Sequence, residues 1–193
     1  MLPPDDKHLI QLMDAALADA TRRSGSWLTC RPGCSQCCHG VFAMNALDAE
    51  RLREGFRLAP AETQQRIRTR VQQAVQELSA DFPGDTATGI LYDGEASQEA
   101  FEDFANEAAC PVLDPTSGTC DLYSHRPMTC RVFGPPVQTE EGGFGICELC
   151  FVGAPAEAIA AAELHFPDPS VEAALDEQTG VIGTTIVAFA LKD

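Results

Sequence analysis

Residues 30–40 read CRPGCSQCCHG and carry four thiols, Cys30, Cys34, Cys37 and Cys38, with His39 directly after them. Cys110, Cys120 and Cys130 follow at even steps, and Cys147 and Cys150 close the set in CELC. Thiols gathered this way are crosslinked, catalytic, metal-bound or merely buried. Two residues between cysteines, as in Cys34–Cys37 and Cys147–Cys150, let a tight turn aim both sulfurs at one ion. Buried cysteines behave as small hydrophobes, whereas these stand beside Gly, Pro and polar residues, so metal binding fits better. Soft thiolates select zinc, Cu(I) or iron–sulfur clusters. A structural zinc closes with four ligands, and an iron–sulfur cluster takes about four cysteines. Nine thiols therefore allow two four-ligand sites with one left over, or one site with redox or unligated partners. Neighbouring side chains diverge, so Cys37 and Cys38 suit two adjacent metals unless one of them is not a ligand. His39 and His125 are spare ligands, or hydrogen-bond partners of ligands.

The rest of the composition excludes several other uses. A chain of 193 residues with 45% apolar content can build a core without disulfides. The odd number of cysteines, nine, weakens a closed disulfide framework further. The N-terminal stretch lacks the basic and apolar regions of a secretory signal. No run approaches ~18 apolar residues, so no membrane span is expected. A cytoplasmic location follows as the default, and reduced thiols there point to metal or redox chemistry. The formal charge of −16 argues against nucleic acid, whose phosphates need Lys and Arg. Arg66, Arg68 and Arg70 in RIRTR read as a solvated helix face rather than a binding stripe.

The elements that must hold the thiols are mostly helical. Residues 7–23 repeat Leu9, Leu12, Met13, Ala16, Leu17 and Ala20 at helical spacing, with Gly25 as the stop. A short helix is expected over ALDAERLREGFRL, with Asp48 near its start. The clearest helix begins at Pro60 and stripes Ile67, Val71, Ala74, Val75 and Leu78. SQEAFEDFANEAA is a further helix, with Ser97 as N-cap and Phe101 and Phe104 inward. Pro32 and Gly33 mark a turn. PVLD and TCDLY suit two short strands around PTSG, and a helical turn is expected after Pro127. APAEAIAAAELHF and PSVEAALDEQ read as helices, while TTIVAFAL fits a buried strand or a short helix equally. The expected fold is mainly α, a small irregular metal-stapled domain with few short strands. Its extent is residues 1–193, with a cysteine core over about 30–150 and helical arms. A thioredoxin-like role for CELC would require a preceding strand and a βαβ alternation; the pair follows the loop EEGGFG instead.

The motifs CSQCC and CPVLDPTSGTCDLYSHRPMTCRVFG resemble the YkgJ-type cysteine-cluster proteins, a CxxCxxCC family with a zinc- or iron-chelating domain. The second motif is the more specific match. The first departs from the pattern, because three residues rather than two separate Cys30 from Cys34. The resemblance implies a metal site from Cys34, Cys37, Cys38, Cys110, Cys120, Cys130, Cys147 and Cys150, with Cys30 as the odd thiol. Flagellin lysine methylases carry a related region, which brings protein modification into view by analogy. Within the motif, Arg126 and Arg131 either offset thiolate charge or pair with Asp114 or Asp121. Asp114 and Gly118 shape a turn, and Tyr123 and Phe133 are expected to wall off water. Asp48 is expected to cap a helix, and Glu50 to face solvent.

Two function classes remain. One is an iron–sulfur protein in redox or cluster-assisted modification chemistry. The other is a zinc-stabilised module whose acidic surface meets a basic protein partner. In both, metal binding is coupled to folding. Chelation, Cys37→Ser and Cys130→Ser should each lower the melting temperature, and on the family pattern Cys30→Ser should do so least. Identical melting curves for the parent and all three variants would defeat the coupling.

Overall fold

The helical periodicities correspond to eight α-helices among the described residues of the computed structural model, which are 1–31, 33–139 and 142–192. They are α1 (Asp6–Ser24), α2 (Ala46–Leu58), α3 (Ala61–Leu78), α4 (Glu95–Glu102), α5 (Met128–Val132), α6 (Ala156–Ala161), α7 (Pro169–Glu177) and α8 (Val187–Ala190). Three two-stranded antiparallel ribbons complete the inventory: β1 (Gly84–Asp85) with β2 (Ile90–Leu91), β3 (Leu113–Asp114) with β4 (Thr119–Cys120), and β5 (Val137–Gln138) with β6 (Phe144–Gly145). The protein is therefore mainly α with few short strands. The expected turn at Pro32 and the Glu140–Glu141 part of the loop before CELC lie outside the described residues.

The chain gathers into two compact units. The first holds Gly33–Pro127, the first two residues and the segment from Asp176 onward; the second holds the segment from Pro3 and Met128–Leu175.

In the first unit, α2 starts where the Asn45 side chain accepts the Asp48 N–H at 2.8 Å. The cap is thus Asn45 rather than Asp48. The Asp48 carboxylate instead pairs with Arg51 at 2.6 Å, both almost fully buried. Glu50 is half-buried and pairs with Arg53 at 3.1 Å, so it does not simply face solvent. Helix α3 follows Pro60 and buries Ile67 and Val71, four residues apart on one face. Each such side chain contributes about 1.5–3 kcal/mol when fully buried. They meet Met44, Leu52, Val112, Leu122 and Val187 in one core, against which Cys110 and Cys120 are packed.

A second cluster stacks Phe82 on Phe189 at 4.1 Å between ring centroids, with Phe104 edge-on at 6.0 Å. Phe101 and Phe104 pack here as their spacing requires. Helix α4, however, starts two residues before Ser97. Gly94, at φ 107, takes the cap position, and its carbonyl accepts the Ser97 N–H at 3.1 Å. The TTIVAFAL segment does both things its composition allows. Thr185 exchanges two backbone hydrogen bonds with Met44 at 2.9 Å, and the chain then winds into α8.

The second unit is built on α1, which buries Leu9, Met13 and Ala20 and ends at Gly25 with φ 53. Arg131 of α5 pairs with Asp14 of α1 at 2.8 Å. Arg23 donates to the carbonyls of Ala161 and Glu163 at 2.5 and 2.7 Å, tying α1 to the end of α6.

One packing constraint reaches the cysteine-bearing loops. A Cβ on Gly55 of α2 would stand 2.5 Å from the His125 Cβ and 2.6 Å from its Cγ. Alanine favours a helix interior over glycine by up to about 1 kcal/mol, but overpacking costs about 1–3 kcal/mol. Gly55→Ala should therefore lower the urea midpoint, and an unchanged or raised midpoint would show that His125 yields freely.

Candidate metal centre

Backbone pairing brings the two cysteine-rich motifs of the first unit together. Residues 36–38 form one 3-10 turn, closed by the Cys38 N–H donating to the Ser35 carbonyl at 2.8 Å. The chain then leaves as an extended segment. The Cys110 N–H donates to the Cys38 carbonyl at 2.8 Å, and the Gly40 N–H to the Ala108 carbonyl at 3.0 Å. His39 and Ala109 face each other in that bridge. On the far side, β3 and β4 pair Leu113 with Cys120 around the expected turn. Asp114 shapes this turn by accepting from the Thr116 N–H at 3.1 Å and the Ser117 hydroxyl at 2.8 Å. Gly118, at φ 70, completes it; a Cβ there would stand 3.1 Å from the Gly33 carbonyl oxygen. The turn and the start of the first motif thus approach closely only because residue 118 lacks a side chain.

Cys37, Cys38, Cys110 and Cys120 feel one another electrostatically. The Cys37 and Cys38 thiols hydrogen-bond to each other, which lowers the first titration and raises the second. Burial raises Cys38 further, as do nearby Cys37, Cys110 and Cys120. Cys110 is pushed up to about 12, first by burial and then by Cys120 and Cys37. Burial also raises Cys120, against the Leu122 N–H and the Arg126 charge. Cys37 ionises most readily, and Cys38, Cys110 and Cys120 are held protonated by burial and by their neighbours, a group that a bound cation would relieve. The donor set is soft and suits zinc or iron. Among the described residues, no three His, Cys, Asp or Glu side chains already close on one point as ligands. What brings these thiols near one another is therefore the backbone pairing. Cys34, half-buried, lies on the same segment.

Arg126 stands beside this group. It is 9% exposed, lies over the Tyr123 ring at 4.0 Å and donates to the Tyr123 carbonyl at 2.9 Å. Its charge favours the thiolates of Cys37 and Cys120. Asp114 is engaged in its turn, and Asp121 faces Arg66 and Arg70. Tyr123 and Phe133 do not wall off a site as expected; they are 63% and 44% exposed. His39 is exposed, and His125 packs on Gly55.

The arginines of α3 have a role that helical periodicity does not reveal. Arg70 donates through Nε to the Pro111 carbonyl at 2.8 Å and through Nη2 to Asp121. Arg66, itself exposed, reaches Asp121 at 3.4 Å, and Arg68 lies over Phe56 at 5.1 Å. Pro111 follows Cys110 and Asp121 follows Cys120, so Arg70 grips both ends of the hairpin that presents these two thiols. Beside it lies a cavity of about 330 Å3, lined by Cys110, Arg70, Glu77, Leu78, Val41 and Ile186 among others.

The second unit contains Cys30, Cys130, Cys147 and Cys150. Cys147 and Cys150 are 8% and 5% exposed, in an apolar cluster with Leu28, Phe151 and Ala162. A short strand, β6, does stand before CELC in place of the expected loop, but CELC closes as a turn and the next helix, α6, begins only at Ala156, so the strand–CxxC–helix arrangement of the thioredoxin-like alternative is not formed.

Thiols collected on short loops, with helices as buttress, define a cysteine-cluster protein. Residues 29–148 match the CxxCxxCC family, described as "Putative zinc- or iron-chelating domain", and the chain belongs to that family. No curated protein and no solved structure matches it. Among the described residues, no helix is long and apolar enough to cross a membrane.

Arg70→Ala removes two anchors and leaves Asp121 with the weaker Arg66 contact. A loss of about 1–3 kcal/mol is expected, read as a lower urea midpoint and faster release of bound metal to a chelator. Arg68→Ala is the control that should leave both unchanged; equal behaviour of the two variants would remove Arg70 from this role.

Proposed function

We propose that the protein binds iron through its thiolates, as an iron–sulfur cluster in the first unit, and uses it in redox or cluster-assisted modification chemistry. The observation that carries this reading is the grouping of Cys37, Cys38, Cys110 and Cys120 by the Cys38–Cys110 backbone bond. Cys37 and Cys38 do not diverge as neighbouring side chains are expected to: their thiols hydrogen-bond to each other, so both sulfurs can face one cluster. Of the eight ligands that the family pattern implies, Cys34 belongs with these four, and Cys130, Cys147 and Cys150 belong to the second unit.

An iron–sulfur cluster supplies electron transfer at a potential set by charge, hydrogen bonds and exposure. The chain's own residues set those quantities. Arg126 places a buried positive charge beside Cys37 and Cys120, which favours the more negative, reduced state. The half-buried thiols leave the group accessible from outside. The cavity beside Cys110 offers room for a small substrate or the side chain of a protein substrate. That cavity favours an active role over a purely structural zinc module, in which closed thiolate sites would hold the fold and the −16 charge would meet a basic partner.

Anaerobic purification followed by metal analysis, acid-labile sulfide assay and visible absorption tests the assignment. Iron with sulfide and a brown band is the expected result, and Arg126→Gln should then make the cluster harder to reduce. Zinc alone, with no band under anaerobic handling, would move the function to the zinc module.

A further inference from the structure

In the second unit, the segments around four thiols are drawn together by contacts of their own. The Cys150 N–H donates to the Cys147 carbonyl at 2.8 Å and closes the CELC turn. Phe151 follows in the left-handed region at φ 57, which costs a bulky residue roughly 1–2 kcal/mol. Strain of this kind persists where surrounding contacts over-determine the backbone, and it concentrates at functional sites. Here the Phe151 N–H donates to the Trp27 carbonyl at 2.9 Å, which pulls the strand of chain leading to Cys30 onto the turn. Thr29, immediately before Cys30, donates to the Leu149 carbonyl at 2.8 Å and stands 3.6 Å from the Cys150 sulfur. Gly134 meets Cys30 from another direction. A Cβ on Gly134 would lie 3.8 Å from the Cys30 Cβ and 3.3 Å from Leu28 Cδ1. The chain leaving α5, which carries Cys130, therefore packs directly on Cys30. Cys147 and Cys150 are buried, Cys130 is half-buried and Cys30 is exposed at the edge of the group; the two buried sulfurs are costly as thiolates unless a cation neutralises them.

We propose that the second unit holds a metal ion of its own, Zn2+ or Fe2+, bound by Cys30, Cys130, Cys147 and Cys150 as a closed four-thiolate structural site. This rests on the thiolate–metal reading above, but it adds a second site and brings in Cys30, whose spacing from Cys34 departs from the family pattern. Binding forms four metal–sulfur bonds and releases the thiol protons to solvent, with no change of oxidation state. With all four positions filled by protein, the ion has no open position for substrate, and its work is to hold α5, the CELC turn and the segment before Cys30 together.

The test is Co2+ titration of the full-length protein, stripped with a chelator under reducing, anaerobic conditions; Co2+ in a tetrathiolate site absorbs in the visible. The Cys37→Ser/Cys120→Ser variant should keep a cobalt–thiolate band, and adding Cys147→Ser/Cys150→Ser to that background should abolish it. In the first of these backgrounds, Cys30→Ser should weaken Co2+ binding by roughly tenfold or more, since even outer partners of ligands are worth that much, while Cys34→Ser should leave it unchanged. Silent Cys30→Ser, or loss of the band already in Cys37→Ser/Cys120→Ser, overturns the second site while leaving the metal-binding reading intact. A parent protein that binds no metal overturns both. Should the variants not fold, stepwise chelation of the parent with alkylation and mass spectrometry decides. Cys30, Cys130, Cys147 and Cys150 should become reactive as one group, and a Cys30 that reacts regardless of metal overturns the proposal.

Discussion

The hydrogen bond from the Cys110 N–H to the Cys38 carbonyl fixes what the rest of the first unit has to do. It joins two motifs far apart in sequence and sets four sulfurs together, three of which burial and neighbouring thiols hold protonated. That arrangement is unfavourable for thiolates alone, so the surrounding structure has to hold it. The core formed by α2, α3 and α8 packs against Cys110 and Cys120 from behind. Arg70 grips the chain one residue beyond each of those cysteines. Gly118 lets the hairpin turn approach Gly33. Each contact restrains backbone and leaves the sulfurs themselves free of that restraint, so the approach of the two motifs does not depend on how the thiol side chains are turned.

The chemistry was more legible in the sequence than its supports. Cysteine spacing pointed to thiolate metal binding, and PVLD–PTSG–TCDLY gave the β3–β4 hairpin, because both depend on residues close in the chain. The helix after Pro127 and the amphipathic stripes of α1 and α3 were legible for the same reason. Arg70 was not. On a helical wheel it shares the polar face with Arg66 and Arg68, and its partner, the Pro111 carbonyl, lies on another element. Asn45 rather than Asp48, and Gly94 rather than Ser97, took the caps, since a plausible capping residue does not fix where a helix starts. The exposure of Tyr123 and Phe133 reflects packing that aromatic character alone does not determine.

Cys30 shows a different limit. Its spacing from Cys34 looks like a departure from the family pattern, and one-dimensional reasoning ranks it last among the thiols. In space, its neighbours are set by the Trp27–Phe151 bond and by the absence of a side chain at Gly134. An extra residue between Cys30 and Cys34 matters little if they serve different units, because no single ion then constrains their separation. The same run of sequence contributes Cys30 to the second unit and Cys34, Cys37 and Cys38 to the first.

Charge gives the arrangement its economy. The chain carries 13 Lys and Arg against 29 Asp and Glu, so a buried cation must be placed where it matters. Many of its arginines, such as Arg22, Arg53 and Arg57, form ordinary surface pairs with carboxylates one helical turn away, each worth little in stability. Arg126 is different: it is buried, held by the Tyr123 carbonyl and ring, and its charge acts on thiols. Four thiolates around a divalent ion keep a net negative charge, so one guanidinium lowers the cost of the loaded state without displacing a ligand. The net charge of −16 repels anions that approach the chain.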